Sequence, residues 1–570
     1  MDIILRNATI VDGTGATPFS GDLAISHGEI AAIGKINDHA KQEIDVNGAV
    51  VSPGFIDCHT HYDAQVMWDK MLSPSVYHGV TTVIAGNCGF TLAPLSSDKA
   101  DAAYLLAMLA RVEGMPLSSL QSAVKPCWNS FGDYLDLVDG QIAINTAFMV
   151  GHSALRRYVM GERAVGSEAT PDEIEQMVDL LRKSLEEGGV GFSTTISITH
   201  NDHNGDPVPS RWASDNELLA LSAALRDYPG TWLELVPFLE GPFGERQYTL
   251  LTEMSLAAQR PLNWNTLSLN SADKENMERQ LFTSDYAAKR GARIYALLPA
   301  CAQKVVLNLR SGMALDMIPN WKEFLNLPAK EKITAMRDPA MRKHLQDGLE
   351  KSDSRSLTDI SNFLIENVSS EKNARWIGRL IGDFAKERTL SPLDALLELA
   401  AEEDLWLAFS PPPIGDDPES WKLRGQVWQD SRCLVGGSDA GAHLDMLNTF
   451  AFTTQLLGDG VRERQLLPLE QAVRLLTSAQ ADAFGLRGRG RLEVGATADV
   501  VVFDPKTIAT GPIVMREDLP GNEMRLYADA VGILHVIVNG VPVVTGNRPT
   551  GHKSGRVLRG GRDTYTAAIA

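Results

Sequence analysis

The sequence predicts a mixed α/β protein: a TIM-like (β/α)8 barrel, a small β-sandwich built from both chain termini, and a helical insertion. Three observations predict it. Short strands punctuated by turns occupy both ends of the chain, in "DIILRNATIVDGTG", "GDLAISHGEIAAIG" and "QEIDVNGAVVSPG" and again in "GATADVVVFDP" and "ADAVGILHVIVNGVPVVTG". Between them, short apolar runs alternate with helical stretches roughly eight times, the count a closed parallel barrel needs. One charged, helix-rich stretch, residues 303–395, is far longer than an ordinary connection.

Taken in order, residues 1–54 supply one part of the sandwich and 486–570 the other, because two all-strand segments would each leave an open sheet edge unless they pair. Residues 55–302 and 396–485 form the barrel. "HGVTTVIAGNCGF" and "INTAFMVGHSALR" are strands running into loops. The helix in "TPDEIEQMVDLLRKSLEEGG" has its signals in place: Thr170 and Glu173 at capping-box spacing, Pro171 in the first turn, an apolar stripe at Ile174, Met177, Leu181 and Leu185, and Gly188 as a stop. Further strands are expected at "VGFSTTISITH", "TWLELVPF", "PLNWNTLSL", "ARIYALL", "LWLAFS" and "RCLVGGSDAG". The 303–395 insertion reads equally as a lid over the site or as a solvated bundle.

Composition narrows the function. In 570 residues, 53 basic side chains face 72 acidic ones, a formal charge of −19 that disfavours nucleic acid or an anionic membrane surface as partner. Cys58, Cys88, Cys127, Cys301 and Cys433 are few, odd in number and scattered, so a disulfide framework is not expected and a reducing cytoplasm fits. The start "MDIILRNATI" lacks the pattern of a secretory signal, and no run of about 18 apolar residues is present to span a bilayer.

The chemistry begins at "VVSPGFIDCHTHYDAQ", where a buried strand ends in polar groups. If the strand continued, Asp57, His59, His61 and Asp63 would share one face. Two imidazoles one repeat apart can grip one metal ion, with neighbouring carboxylates taking their second ring protons. A lone buried histidine is ordinarily a satisfied core residue; two beside two aspartates read as a metal grip. Cys88 in "AGNCGF" and Asp439 in "LVGGSDAGAHLD" stand at two other strand exits, where barrels gather catalytic groups. Each alone also has an ordinary reading, an inert buried thiol and a turn or helix cap. His443 is either a substrate contact or a member of a helical first turn.

The ordered motifs "PGFIDCHTHYD", "GVTTVIAGNCGF", "GSDAG" and "GRGRLEVGATADVVVFDP" resemble the metal-dependent amidohydrolase superfamily, and "HTHYDAQ" with "GNCG" is similar to its N-acyl-D-amino-acid deacylase branch. The resemblance is strong over residues 1–115 and 430–545, looser over 140–235 and weak across the insertion. It implies zinc held by His59 and His61, with Cys88 as ligand or bridge and Asp439 as ligand and proton shuttle. The stretch "GFSTTISITHNDHNGDPVPSR" resembles a substrate-side loop, which makes His200 and Arg211 substrate candidates. In that branch two more histidine ligands are expected on the fifth and sixth strands. Here those strands read "LELVPF" and "LNWNTL", with Glu234 and Asn265 in position to face the site. The expected content is one tightly held zinc ion, or an unusual pair. No lysine ends the third or fourth strand, which argues against a carbamylated-lysine bridge.

The expected activity is hydrolysis of an amide bond in a small molecule, an N-acyl (D-)amino acid or related N-acyl amide, by metal-activated water with Asp439 shuttling the proton. His200 or His152 would stabilise the oxyanion, and Arg156, Arg157 or Arg211 would grip a substrate carboxylate. An amidohydrolase for another amide, carbamate or ester is the second reading, and a non-catalytic barrel scaffold the third. The subunit count is open, a homo-oligomer included.

Overall fold

Eight short parallel strands form the ring on which the rest of the chain is hung. The computed structural model describes residues 1–569 apart from 239–242, 303, 313 and 353–354, so four positions of the expected insertion lie outside the described residues. The ring comprises β1 (Phe55–Asp57), β2 (Val80–Ala85), β3 (Asn145–Phe148, continued by Val150–Gly151), β4 (Gly191–Thr195), β5 (Trp232–Val236), β6 (Leu262–Trp264), β7 (Ile294–Leu298) and β8 (Cys433–Val435). Each pairs in parallel with the next. Closure between β8 and β1 comes just past the strand ends, at a parallel Thr60–Ala440 bridge, where the His61 N–H donates to Ala440 O at 2.7 Å.

Every residue of these strands except Tyr295 is buried, polar ones included, because both faces of the ring are covered. Inside, Ile56, Ile84, Met149, Trp232, Leu297 and Leu434 fill the barrel. Outside lie α1 (Lys99–Val112), α2 (Pro171–Glu186), α3 (Asp215–Ala224), α4 (Glu245–Ala258), α5 (Lys274–Ala288), α6 (Pro418–Val427) and α7 (Leu469–Leu476). In α2 the expected capping box is made: Thr170 Oγ1 accepts from Glu173 N–H and Glu173 Oε2 from Thr170 N–H, while Met177, Leu181 and Leu185 are buried.

The two chain ends join as expected in one nine-stranded sheet. Its seam is the antiparallel pairing of Val50–Pro53 with Val500–Phe503, and Ile3, Leu5, Leu23, Val51, Val500 and Val502 share a core on one side of it. Because Phe55 comes after that seam by a single glycine, the sandwich fixes where β1 enters the barrel.

Three expectations need correction. "LWLAFS" is not a barrel strand: Ala408–Ser410 pairs antiparallel with Leu364–Asn367, and Phe409 stacks on Phe363 at 5.5 Å between ring centroids. Nor does the barrel resume at 396, since Leu396, Leu399, Leu405 and Leu407 belong with Trp321, Phe324 and Trp376 to a separate hydrophobic core. The insertion therefore runs on to about residue 410; short apolar runs alone do not say which core they join. Finally, 486–570 is not all sandwich. Val557–Leu558 pairs in parallel with the first half of β3, and the hairpin Val514–Leu519/Glu523–Tyr527 reaches the Asp439 side of the barrel, where Leu526 N–H donates to Leu444 O at 2.7 Å. No helix among the described residues is long and apolar enough to cross a membrane.

Candidate metal centre

β1 ends at Asp57, two residues before the first histidine, so strand alternation does not extend to His59 and His61. His61 instead N-caps the short helix Tyr62–Gln65. The expected pairing of Asp57 and Asp63 with the ring nitrogens fails for this reason. Asp57 accepts from the Ser438 hydroxyl and from the Ser438 and His59 N–H groups, and Asp63 accepts from Gly86 N–H at 3.0 Å. Burial pushes both carboxyls up to about 7. They brace the loops around the site.

Cys88 sits in the turn Asn87–Gly89 with φ +56°, a left-handed conformation that costs a non-glycine residue about 1–2 kcal/mol. The glycine before the turn is needed: a Cβ on Gly86 would stand 2.5 Å from Met149 O. Asp439 and His443 are also left-handed, with φ +51° and +48°. Such strained positions are retained where the surroundings over-determine them, commonly at functional sites.

The strained turns bring four donor atoms together. Cys88 Sγ lies 3.4 Å from His59 Nε2 and 3.9 Å from His61 Nε2, and Asp439 Oδ1 lies 3.1 Å and 3.8 Å from the same two nitrogens. Donors around a tetrahedral zinc ion stand about 3.3–3.6 Å apart, given Zn–N of roughly 2.0–2.1 Å and Zn–S of roughly 2.3 Å. His59, His61 and Cys88 offer ligand atoms that all lie within 4.8 Å of one another, so these three fit the ion, with Asp439 Oδ1 beside both imidazoles.

The electrostatics agree. Glu113, delivered by the end of α1 and 2 % exposed, puts Oε1 3.4 Å from His61 Nδ1 and Oε2 3.9 Å from His443 Nε2. Burial drives its carboxyl well above the usual range. Glu234 on β5 accepts from Cys88 N–H at 2.9 Å and from the Asn265 amide, and burial pushes it up to about 7. Burial also opposes ionisation of Asp439, but hydrogen bonds and charge from His59 and His61 outweigh it and hold that carboxyl well below its usual value. Burial raises the Cys88 thiol and lowers His61 to about 4. Among the described residues, none of Glu113, Glu234 and Asp439 pairs with a lysine or arginine. An uncompensated buried charge costs several kcal/mol, and a cation among these groups offsets it.

The remaining candidates divide. His200 faces the cluster: Nδ1 is held by Thr195 Oγ1 at 2.8 Å, the ring lies 5.2 Å from Phe90, and after burial the charges of His443 and His61 depress its pKa to about 3. Arg211 is not directed at a ligand through Nη1, which donates to Ile198 O, His200 O and Asn201 Oδ1 and so ties the His200 loop together. His152 and Arg156 are ruled out as substrate contacts. Both side chains are fully buried and both pair with Glu217, His152 at 2.8 Å and Arg156 at 2.5 Å. Arg157 pairs with Asp101 at 2.6 Å. Glu217 was the unseen partner, because no sequence spacing links α3 to the helix His152–Met160 that follows β3. Glu113 went unseen for a similar reason: a lone glutamate at a helix end reads as a solvated cap.

Comparison with known proteins points the same way. The model of the amidohydrolase family matches residues 42–544. D-aminoacylase of Alcaligenes xylosoxydans xylosoxydans is 29 % identical over 98 % of this chain and 97 % of its own. A crystal structure of D-aminoacylase superposes with a TM-score of 0.65 at 26 % identity, covering 98 % of this chain and 99 % of that one. N-acyl-D-glutamate deacylase from Bordetella bronchiseptica, solved with zinc and a phosphonate mimic of the tetrahedral intermediate, gives 0.64 at 25 % with the same coverage.

Proposed function

The chain belongs to the amidohydrolase family, and from that premise we propose that it is a zinc-dependent hydrolase of the amide bond in a small N-acyl compound, with N-acyl-D-amino acids as the substrate class. The observation that carries this reading is the convergence of His59, His61 and Cys88, with Asp439 Oδ1 beside both imidazoles, at the carboxyl ends of β1, β2 and β8. The deacylase relatives, which match along nearly their whole length, favour the substrate class.

Zinc at this position supplies Lewis-acid polarisation of the amide carbonyl and acidifies a water. The protein's own groups do the rest. Asp439 accepts the proton of the attacking water on its carboxylate and returns it to the departing amine nitrogen. Its low pKa keeps it in the accepting form at neutral pH. His200 is neutral there, and with Nδ1 fixed by Thr195 its Nε2 is free of any hydrogen bond among the described residues, a position from which to donate to the developing oxyanion. Glu113 orients His61 from behind, and Glu234 holds the Cys88 turn. Both oxygens of Glu234 are already engaged, so a second ion would have to displace Cys88 N–H or Asn265; one zinc per chain is expected.

The test combines metal analysis with a panel of N-acyl-D-amino acids, N-acyl-L-amino acids, aryl amides and esters. Near-stoichiometric zinc with turnover of the first group is expected. Turnover confined to aryl amides and esters would move the protein to another amidohydrolase specificity. Zinc below roughly half an equivalent, with no turnover, would leave a scaffold.

A further inference from the structure

Successive side chains of β4 face opposite sides of the ring. Phe192 packs in the outer core, and Thr194, on the same side, puts Oγ1 2.8 Å from His152 Nδ1, with the Phe192 and His152 rings 5.2 Å apart. His152 pairs with Glu217 and Glu217 with Arg156, a buried network that the proposed chemistry does not use. Ser193 and Thr195 take the inner side. Thr195 holds His200 Nδ1, and Ser193 lies under the Cys88 turn.

That turn cannot set its own shape. Gly86, Cys88 and Gly89 are all left-handed, with φ +82°, +56° and +77°, and a cysteine has no preference for that conformation. The Ser193 hydroxyl, fully buried, donates to Gly86 O and accepts from Gly89 N–H at 3.0 Å, so one oxygen ties the two ends of the turn together. In the register of the ring, Ser193 stands between Gly151 of β3 and Glu234 of β5. Glu234 Oε2 accepts Cys88 N–H at 2.9 Å, and Gly151 gives clearance, since a Cβ there would stand 2.8 Å from Gly89 O. One level of three neighbouring strands thus seats the whole turn, and Ser193 is its middle member.

We infer that Ser193 is a positioning residue for the metal: by closing the turn from Gly86 to Gly89 it aims Cys88 Sγ at the two imidazoles. A ligand set works when its members are held within about 0.5 Å of the productive geometry, which a strained turn alone does not ensure. The His152–Glu217–Arg156 network then has a part as well. It anchors the outer side of β4, and a slip of one residue there would turn Ser193 away from Cys88. The inference rests on the zinc reading of the site.

The test uses the full chain with zinc or with cobalt(II), whose near-ultraviolet charge-transfer band reports a thiolate ligand. The wild type should show the band and Cys88→Ala should lack it. Ser193→Ala should weaken the band and lower zinc affinity, measured by competition with a chelator, by about 10–100-fold. In a Cys88→Ala background the same Ser193→Ala change should cost less than about twofold, because no thiol is left to aim. Wild-type band and affinity in Ser193→Ala, or equal losses in both backgrounds, would overturn the inference; equal losses would mark a hydroxyl that serves the fold alone. Should Ser193→Ala not fold, Gly89→Ala probes the same end of the turn, since its Cβ would stand 3.0 Å from Thr194 Cα and push the turn off β4. It should weaken the band likewise, and an unchanged band would count against the inference. The two readings fail separately. A wild type that hydrolyses amides but shows no thiolate band defeats the role of Ser193 and leaves the hydrolase standing, whereas the expected Ser193 effects in a protein that hydrolyses no amide do the reverse.

Discussion

Replacing Glu113 with leucine isolates what its side chain does, because the main-chain carbonyl that receives the His443 N–H at 2.5 Å remains. Glu113 Oε1 stands 3.4 Å from His61 Nδ1, a buried ring nitrogen with no hydrogen bond of its own. A carboxylate behind a ligating imidazole fixes its tautomer and orientation, and losing it costs about 10–100-fold in metal affinity, or roughly 1.4–2.7 kcal/mol. Stability of the metal-depleted protein should move the other way or not at all. Glu113 is a desolvated carboxyl whose pKa burial drives upward, and leucine removes that penalty at similar volume. The assay is competition for zinc against a chelator of known affinity, alongside urea unfolding of the metal-depleted protein. Zinc affinity within about twofold of wild type would refute the positioning role; a large loss of apo stability would show instead that Glu113 serves the fold.

Two further outcomes are expected. Asp439→Asn should lower turnover by about 10²–10⁴-fold, the usual worth of a general base, while zinc is partly retained; wild-type turnover in a steady-state assay would contradict the proton-shuttle role. His78, which precedes the amino end of β2 whereas Cys88 follows its carboxyl end, should make stability fall with acid. Its Nε2–H donates to Ala528 O at 3.0 Å, its Nδ1 meets Thr454 Oγ1 at 2.8 Å, and burial lowers its pKa to about 4. The folded chain thus excludes a proton that the unfolded chain takes up below about pH 6.5, so the stabilisation is intact above that pH and is lost as pH falls toward 4, by up to about 3 kcal/mol. Urea denaturation between pH 7 and 4.5 should show a shallower acid limb for His78→Gln; an unchanged limb would place the effect elsewhere.

The barrel was legible because short strand-like segments alternate with helical ones, and the sandwich because unpaired strand segments at both ends need each other. The metal grip was legible in His59 and His61, whose types and spacing carry the chemistry locally. Pairing across the fold could not be read. Asp57 looked like an imidazole partner and binds Ser438, while Arg156 looked like a substrate clamp and belongs to Glu217. "LWLAFS" has strand composition, but its partner Leu364–Asn367 lies in the insertion. In each case local composition named the residue's capability, and a contact distant in sequence decided its use.

The seam between Val50–Pro53 and Val500–Phe503 joins positions about 450 residues apart, and β1 with its two histidines leads directly out of it. Pairings so distant in the chain form late, because their loop-closure cost precedes any reward. The strand Val50–Pro53, which has Ile3–Ile10 on one side, therefore lacks its other neighbour until Val500–Phe503 has left the ribosome. A chain interrupted before position 500 would leave one edge of the strand that precedes both histidines unpaired.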